Sequence, residues 1–253
     1  MRSPLKPLHN SLSATVLSQK IGQNKIIDSF FFFDGVYECM LAGRNNFIVG
    51  HTPTYAVEEF WSSLRTECDL IEGVCSDLLR VFNKQIFELL QDSWYQKEGA
   101  FIRSALFFLL SRHSSRALPS SGEYDPTGFN KVALTYLKKV DMDKMHVTYH
   151  ADRDNFVEAI QPTRPESIIF MNLGRYSYGI GGGGGNLGIE QSPIPHRDIC
   201  TKLSNMKTAW IINYAFNKDL LRSYEKFNII LVDEYGNPTD NVESSREMVI
   251  ANF

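Results

Sequence analysis

The sequence has few of the residues that bind metals or cross-link a small fold. Its 253 residues include four cysteines, none of them in a Cys-x-x-Cys pair, and six dispersed histidines without a His-Glu-x-x-His motif. This spacing provides neither a zinc site nor a disulfide framework, so we expect free thiols in a reducing compartment. We therefore predict that the protein binds no metal.

Long apolar runs and an excess of one charge are also missing. The longest apolar runs, at residues 26–36 and 100–110, are much shorter than the ~20 residues needed to span a bilayer. The N-terminal residues contain no apolar segment of the kind that a secretory signal requires, so no membrane is expected as a partner. Basic and acidic residues number 26 and 29. No overall positive field points to nucleic acid, and any such contact has to be local.

The sequence does contain an alternation of apolar strands and amphipathic helices. With 43% apolar residues, 17 phenylalanines and 11 tyrosines, the chain can build an aromatic-rich core. Strands are predicted over residues 25–33, 45–53, 145–150, 166–172, 208–215, 228–236 and 247–253. Helices are predicted over residues 54–92, as one or two, and over 98–112, 151–161, 195–206 and 217–227.

This alternation predicts an α/β fold with a doubly wound, mostly parallel sheet that ends in an antiparallel hairpin at the C-terminus. A helical region is inserted at about residues 60–145. Residues 1–25, which include four basic and no acidic side chains, are predicted to be an N-terminal arm, either flexible or lying on the surface. Residues 26–253 then form one domain.

Several segments, in consistent order over most of the chain, carry a resemblance to a known family. Residues 99–130 are similar to a helix that ends in an Asn-Arg-Thr-type motif and the Gly-Glu-Phe loop after it, and residues 144–160 to a strand with an Asp-Phe turn. Residues 208–236 and 246–253 are similar to the last strands and helix of the same family. In these features the chain resembles the Dam-like (D12 class) DNA adenine-N6 methyltransferases. The resemblance implies a Rossmann-like class I methyltransferase fold with a DNA-recognition subdomain in the inserted region.

The resemblance also implies a site for S-adenosylmethionine, from which this sequence departs. The family has a glycine-rich turn after its first strand, where the backbone approaches the cofactor, whereas Phe32, Phe33 and Asp34 stand near the glycine positions here. His51 stands where a carboxylate should hold the ribose hydroxyls, and an imidazole cannot offer them two oxygens. No Gly-Gly-Lys motif is found near the N-terminus. We therefore expect Phe32 and Phe33 to fill the cofactor site, and no cofactor to be bound.

The family's catalytic tetrapeptide, Asp/Asn-Pro-Pro-Tyr/Phe, binds the amino group of a flipped adenine and stacks on its ring. Here Asn172 matches the first residue, while Leu173 and Gly174 replace the two prolines. Arg175 falls in the aromatic position, unless one inserted residue lets Tyr176 serve. Without the prolines φ is not fixed and the Asn carbonyl is not aimed. Asn172 and Tyr176 are therefore candidates for a degenerate catalytic pair.

Together these departures predict a pseudoenzyme, a catalytically inactive adenine-methyltransferase-like protein kept for a binding or structural role. Its partner would be another protein, a larger assembly or nucleic acid. Residues 97–145 hold eight basic and five acidic side chains, where the resemblance places the DNA-recognition subdomain. Arg112, His113 and Arg116, beside a serine-rich loop, are candidates for phosphate contacts. An ordinary solvated helix face explains them equally well.

A divergent but active S-adenosylmethionine-dependent DNA adenine-N6 methyltransferase is the alternative. Asn172 and Tyr176 would then bind the base, and Asp152 or Asp154 would contact the adenine of the cofactor. First-turn charges of a short helix also explain these two acidic residues. The five glycines 181–185 lack the spacing of a phosphate cradle and are interpreted as a surface loop. We expect a cytoplasmic location, or a virion-associated one if the source is a phage.

Overall fold

The computed structural model describes residues 1–8, 11–152, 155–176 and 194–253. The strands are β1 (Ile26–Phe30), β2 (Phe47–Thr52), β3 (Met145–Tyr149), β4 (Ile168–Gly174), β5 (Trp210–Ala215), β6 (Asn228–Asp233), β7 (Pro238–Thr239) and β8 (Ser245–Ala251). The helices are α1 (Ala14–Ile21), α2 (Val36–Ala42), α3 (Tyr55–Thr66), α4 (Cys68–Leu79), α5 (Lys84–Gln91), α6 (Ala100–His113), α7 (Lys131–Lys139), α8 (His196–Ser204) and α9 (Lys218–Ser223). In these described parts of the chain, no helix is both long and apolar enough to cross a membrane.

All eight strands belong to one sheet, in the order β3-β2-β1-β4-β5-β8-β6-β7. The first five strands of this row are parallel, and β8 lies antiparallel between β5 and β6. Leaving β8 aside, the parallel strands follow the order 3-2-1-4-5-6 of doubly wound nucleotide-binding folds. The prediction of an α/β, Rossmann-like fold with a doubly wound, mostly parallel sheet and an antiparallel pair at the C-terminus is therefore confirmed.

The central strands are buried on both faces, which explains why their sequences are continuous apolar runs. In β4, Ile169 and Met171 join the core that contains α8 and α9, whereas Phe170 joins the core that contains α1, α2 and the inserted helices. This alternation follows from the two-residue repeat of a strand. The carboxyl ends of the parallel strands therefore form an edge that is flanked by a packed core on either face.

Helices α3 to α7 form the inserted region, with α6 at its centre. Nine of the 14 residues of α6 are buried, and the helix packs against α3, α4 and α5. The predicted helical stretch 54–92 is divided into three helices. The chain leaves the helical conformation at Glu67, and Asn83 starts α5 by accepting a hydrogen bond from the N–H of Ile86 at 3.1 Å.

The predicted helix at residues 151–161 is wrong. Residues 155–159 form successive turns, in which the N–H groups of Glu158 and Ala159 donate to carbonyl oxygens three residues back. Asp152 begins the segment by accepting a hydrogen bond from the N–H of Asn155 at 3.1 Å, and Pro162 follows soon after. The side-chain turn at Asp152 and the proline thus bound the segment, and the described residues between them remain in turns.

The N-terminal residues lie against the domain. Helix α1, which the sequence patterns do not predict, buries Val16, Leu17 and Ile21 in the core, and Leu5 is buried ahead of it. Lys6 anchors the same segment to the inserted region, since its Nζ donates to the carbonyl oxygen of Ser114 and forms an ion pair with Asp125, both at 2.9 Å. The segment thus connects the sheet with the inserted helices.

Candidate cofactor and base site

The carboxyl ends of β1, β2 and β4 meet at one edge of the sheet. In doubly wound folds the ligand binds at this edge, where the strand order reverses. Because β1 lies between β2 and β4, the turns after these three strands border the same space. The side chains of these turns therefore decide whether a cofactor fits.

The turn after β1 contains a strained phenylalanine. Phe31 has a φ of 56°, in the left-handed region, which costs a residue with a bulky side chain roughly 1–2 kcal/mol. Gly35 later in the turn has a φ of 64°, which glycine adopts without strain. The ring of Phe31 packs edge-on against Phe156, with centroids 4.8 Å apart. This contact holds the strained residue in place.

Phe32 lies over the end of β2. Its side chain is buried, and its ring packs edge-on against Trp61 with centroids 5.3 Å apart. A Cβ atom on Gly50 of β2 would come within 2.9 Å of the Phe32 ring, and one on Gly35 within 2.6 Å of the Trp61 ring. The Phe32 ring therefore lies directly on the backbone of β2, and the Trp61 ring on the backbone of the turn between β1 and α2.

Phe33 and Asp34 make other contacts. The ring of Phe33 is tilted against Phe107 of α6, with centroids 6.1 Å apart. Asp34 is buried, and its carboxylate accepts hydrogen bonds from the N–H of Val36 at 3.0 Å and of Leu8 at 2.8 Å. A negative charge is stabilising at the start of α2, and the bond from Leu8 fixes the N-terminal segment to this turn.

His51, near the end of β2, belongs to a chain of three titratable side chains. Its Nε2 lies 3.4 Å from Asp28 Oδ1, and its Nδ1 lies 3.0 Å from His150 Nε2. Since an ionised carboxylate only accepts, we assign the His51 Nε2–H as donor to Asp28 and the His150 Nε2–H as donor to His51. The ring of Phe30 stacks on that of His51, with centroids 4.3 Å apart. Both nitrogens of His51 are thus bonded within the protein.

Asp28 and His150, the two groups that flank His51, have shifted pKa values. Burial by itself would raise the pKa of Asp28, but hydrogen bonds from His51 and from the N–H of Thr163, at 2.8 Å, outweigh it and hold the pKa below its usual value. Desolvation, followed by the nearby His51, lowers the pKa of His150. At neutral pH Asp28 is therefore a carboxylate and His150 is uncharged.

Asn172 lies near the end of β4, beside a β-bulge that separates it from Gly174 in the pairing with β5. Gly174 has a φ of 58°, which proline cannot adopt, so this segment differs in shape from a Pro-Pro turn. The Oδ1 of Asn172 accepts a hydrogen bond from Asn213 Nδ2 at 3.2 Å. The oxygen that would bind a base in the family's reaction is therefore bonded to the neighbouring strand.

This bond begins a buried polar network that the sequence patterns do not predict. Asn213 Nδ2 also donates to the Tyr37 hydroxyl at 3.2 Å, which donates to Glu247 Oε2 at 3.0 Å. Glu247 accepts three further hydrogen bonds, from the N–H of Leu12 at 3.3 Å and from the N–H and the hydroxyl of Ser13 at 2.8 and 2.6 Å. Desolvation and the charge of Glu247 raise the pKa of Tyr37, which stays a phenol. The one sequence signal is the asparagine within the apolar run 208–215, because a buried amide needs partners.

Glu38 is a second buried acid near this edge. It lies on α2, where the hydroxyl of Ser29 on β1 donates to its Oε1 at 2.5 Å. Burial, and to a smaller extent the charge of Asp34, raises the pKa of Glu38 to about 7. The group therefore changes its charge near neutral pH in the folded protein.

The structure does not bring Tyr176 together with Asn172. The half-buried ring of Tyr176 lies 4.9 Å from that of His196 on α8, in the core on one side of the sheet. Asn172 is linked through Asn213 to Tyr37, which belongs to α2 and the core on the other side. The two candidate catalytic residues thus face different layers.

Asp152 is exposed after β3 and has a local role. Its carboxylate accepts hydrogen bonds from the side-chain amide and the N–H of Asn155, at 2.9 and 3.1 Å, and these bonds lower its pKa. This arrangement fits the structural explanation of the charge, as the first residue of a turn. Asp154 and the glycines 181–185 lie outside the described residues.

Arg112 and Arg116 differ in how they face solvent. The guanidinium of Arg112 donates to the carbonyl oxygens of Gly128 at 2.9 Å and Pro4 at 3.3 Å. Desolvation lowers its pKa. Arg116 is exposed. Arg112 therefore joins three segments of the chain, whereas Arg116 is placed where a phosphate could reach it.

His113 is buried at the end of α6. Its ring stacks on Phe82 with centroids 4.6 Å apart, and its Nδ1 lies 2.9 Å from the carbonyl oxygen of Asp125. Desolvation lowers the pKa of His113, so the imidazole is uncharged at neutral pH. A buried, uncharged imidazole is poorly suited to a phosphate contact.

Among known proteins, no family model matches the chain, and no curated protein matches it. One matching solved structure is an rRNA methylase from Streptococcus thermophilus, similar over 95% of this chain and 93% of its own, with 9% sequence identity and a TM-score of 0.38. Because both the sequence identity and the TM-score are low, the fold is assigned from the strand order of the chain itself.

Proposed function

We propose that the chain is a catalytically inactive member of the Dam-like adenine-methyltransferase group, kept for a binding or structural role. The observation that carries this proposal is the buried ring of Phe32 on the backbone of Gly50. A glycine-rich turn would leave that space open to the methionine end of S-adenosylmethionine. The cofactor and the Phe32 ring cannot share it.

The surroundings of His51 support the same proposal. A ribose needs acceptors for two neighbouring hydroxyls, whereas the nitrogens of His51 are bonded to Asp28 and His150 and its ring is covered by Phe30. Opening either bond would leave a buried polar group without its partner, which costs ~1–3 kcal/mol. The residues present therefore do not fit S-adenosylmethionine, and we derive no reaction step through it.

The base site supports inactivity independently of the cofactor site. Adenine methylation needs an acceptor for the amino group and an aromatic ring that stacks on the flipped base. Here the Asn172 oxygen is bonded to Asn213, and Tyr176 packs against His196 in the other layer. The two groups are not arranged around one space.

The binding role that we propose is with protein, either a partner or an assembly. Of the three residues expected to contact phosphate, Arg112 and His113 are bonded within the protein and Arg116 remains. The surplus of basic residues over 97–145 is eight against five, and neutralising so few phosphates gives weak, salt-sensitive affinity. Nucleic acid is therefore the less favoured partner.

A methyl-transfer assay tests the proposed inactivity. The full chain and the Asn172→Ala variant are incubated with methyl-labelled S-adenosylmethionine and adenine-rich DNA, with an active adenine-N6 methyltransferase as positive control. We expect no label on the DNA above background with either protein. Label transferred by the native chain and lost in Asn172→Ala would overturn the proposal in favour of a divergent, active adenine-N6 methyltransferase.

A further inference from the structure

Strand β6 has an open side. β8 pairs with β6 along its whole length, from Asn228 to Asp233. On the other side, β7 pairs only with Leu231 and Val232. Among the described residues no further strand pairs with this side of β6, so the main chain of residues 228–230 faces outward there.

The open segment is apolar and borders a groove. The side chains of Ile229 and Ile230 are half-buried, and together with Leu231, Leu221 of α9 and Pro238 they line a depression in the surface. An apolar strand with free main-chain groups is a template for pairing with another strand. This surface is separate from the cofactor edge, and the inference goes beyond the proposed function.

Other parts of the sheet margin are protected. β7 is only two residues long, and its Pro238 has no N–H with which to extend the ladder. At the opposite margin, Arg65 of α3 donates to the carbonyl oxygens of Met142 and Met145, at the beginning of β3. Among the described residues, no neighbouring strand covers residues 228–230 of β6 in this way on their open side.

The charges at the two ends of the open segment are opposite in sign. Lys226 comes just before it in the sequence. Asp240 follows Thr239, the residue of β7 that pairs with Leu231, and therefore lies near the other end of the segment, on the side of Ile230. Both side chains are exposed. If two such segments pair antiparallel about a two-fold axis, the Lys226 end of each copy meets the Asp240 end of the other. The surface is therefore complementary to itself.

We propose that residues 228–230 form the contact between two copies of this chain, with their β6 strands paired antiparallel. The pairing joins two eight-stranded sheets into one and satisfies main-chain groups that otherwise face water. Ile229 lies at the centre of the contact, where it covers the groove of the partner. The partner is a second copy of the chain because, in an antiparallel pair, the positive end of each segment faces the negative end of the other.

The oligomeric state of the full chain tests this proposal, by light scattering after size exclusion and by sedimentation. The expected mass is twice 28.9 kDa. Lys226→Asp and Asp240→Lys each place like charges together twice in the dimer, and each should weaken it about 10-fold or more. The variant with both substitutions exchanges the two charges and should restore the dimer. Lys207→Asp, an exposed lysine outside the segment, is the matched control.

Ile229→Lys should abolish the dimer, because a charge at the centre of an apolar contact is not solvated. Circular dichroism shows whether this variant folds, and the charge-exchange variants decide the matter if it does not. A monomer at all concentrations up to ~0.1 mM overturns the proposal. A dimer that neither Lys226→Asp nor Asp240→Lys weakens overturns it as well, since that dimer uses another surface.

Discussion

Phe30 and His51 are register partners on the neighbouring strands β1 and β2, and their rings stack at 4.3 Å with planes inclined by 12°. The pair lies at the carboxyl edge of the sheet, where the family would hold the ribose of its cofactor. His51 is fixed there by Asp28 on one side and His150 on the other. Both ring nitrogens of His51 are thus engaged within the protein.

These contacts predict that a carboxylate is not tolerated at position 51. His51→Asp places a second carboxylate beside buried Asp28, and an uncompensated buried charge costs ~3–5 kcal/mol. His51→Asn, which is uncharged and of similar size, should cost less. Urea unfolding at neutral pH measures the difference. If the two variants lost the same free energy of unfolding, the charge of the aspartate would not be the reason that it is disfavoured.

The histidine chain predicts a loss of stability in mild acid. Because the pKa of His150 is lowered, by desolvation first and by His51 second, the unfolded chain binds its proton near pH 6.5 before the folded protein does. The free energy of unfolding therefore falls as the pH drops through about 6.5 towards the pKa of the folded state.

His150→Gln keeps a donor for His51 and should flatten this dependence between about pH 7.5 and 5. A residual slope is expected from His113, whose pKa is lowered in the same direction. His146→Gln, at an exposed histidine of β3, is the matched control. If the free energy of unfolding changed with pH equally in the native protein and in both variants, groups other than His150 would cause the loss of stability in acid.

Glu38 predicts the opposite dependence. Burial raises its pKa from 4.5 to about 7, so its contribution to stability is complete below about pH 4.5 and is lost as the pH rises through about 7. The full difference corresponds to roughly 3 kcal/mol. Glu38→Gln still accepts from the Ser29 hydroxyl, and it should raise the free energy of unfolding at about pH 8 and much less at about pH 5. The same gain at both pH values would contradict the assignment.

Two adjacent phenylalanines should respond differently to truncation. Phe31→Gly relieves roughly 1–2 kcal/mol of backbone strain while it removes one half-exposed ring, so the two effects nearly cancel. Phe32→Ala removes a fully packed ring and should cost ~3–5 kcal/mol. Thermal unfolding of both variants provides the comparison. A large loss in Phe31→Gly would mean that its contact with Phe156 outweighs the strain.

Much of the fold could be predicted because the central strands are buried on both faces. Residues 168–171 are apolar without interruption, and such a run indicates a strand whatever its neighbours are. The segment 151–161 could not be predicted in this way. Its acidic start is typical of a helix, and its conformation depends on the side-chain turn at Asp152 and on the nearby Pro162.

At the site, residue types could be predicted to matter but their partners could not. From the sequence alone, Phe32 and His51 are expected to conflict with a cofactor because of their size and chemistry. The bond between Asn172 and Asn213 joins residues 41 positions apart, and it depends on β4 and β5 being neighbours with a bulge in their register. His51 meets His150 for the same kind of reason, since β2 lies beside β3.

Calorimetry of S-adenosylmethionine binding to the full chain tests most directly whether the protein's own rings close the cofactor site. The Phe32→Gly/Phe33→Gly double variant is titrated alongside, after its unfolding curve shows that it is folded. A closed site predicts no binding heat from the native chain, with any dissociation constant weaker than ~1 mM. Binding by the double variant alone would identify the rings as the obstacle. Micromolar binding by the native chain would contradict the closed site and the inactivity inferred from it.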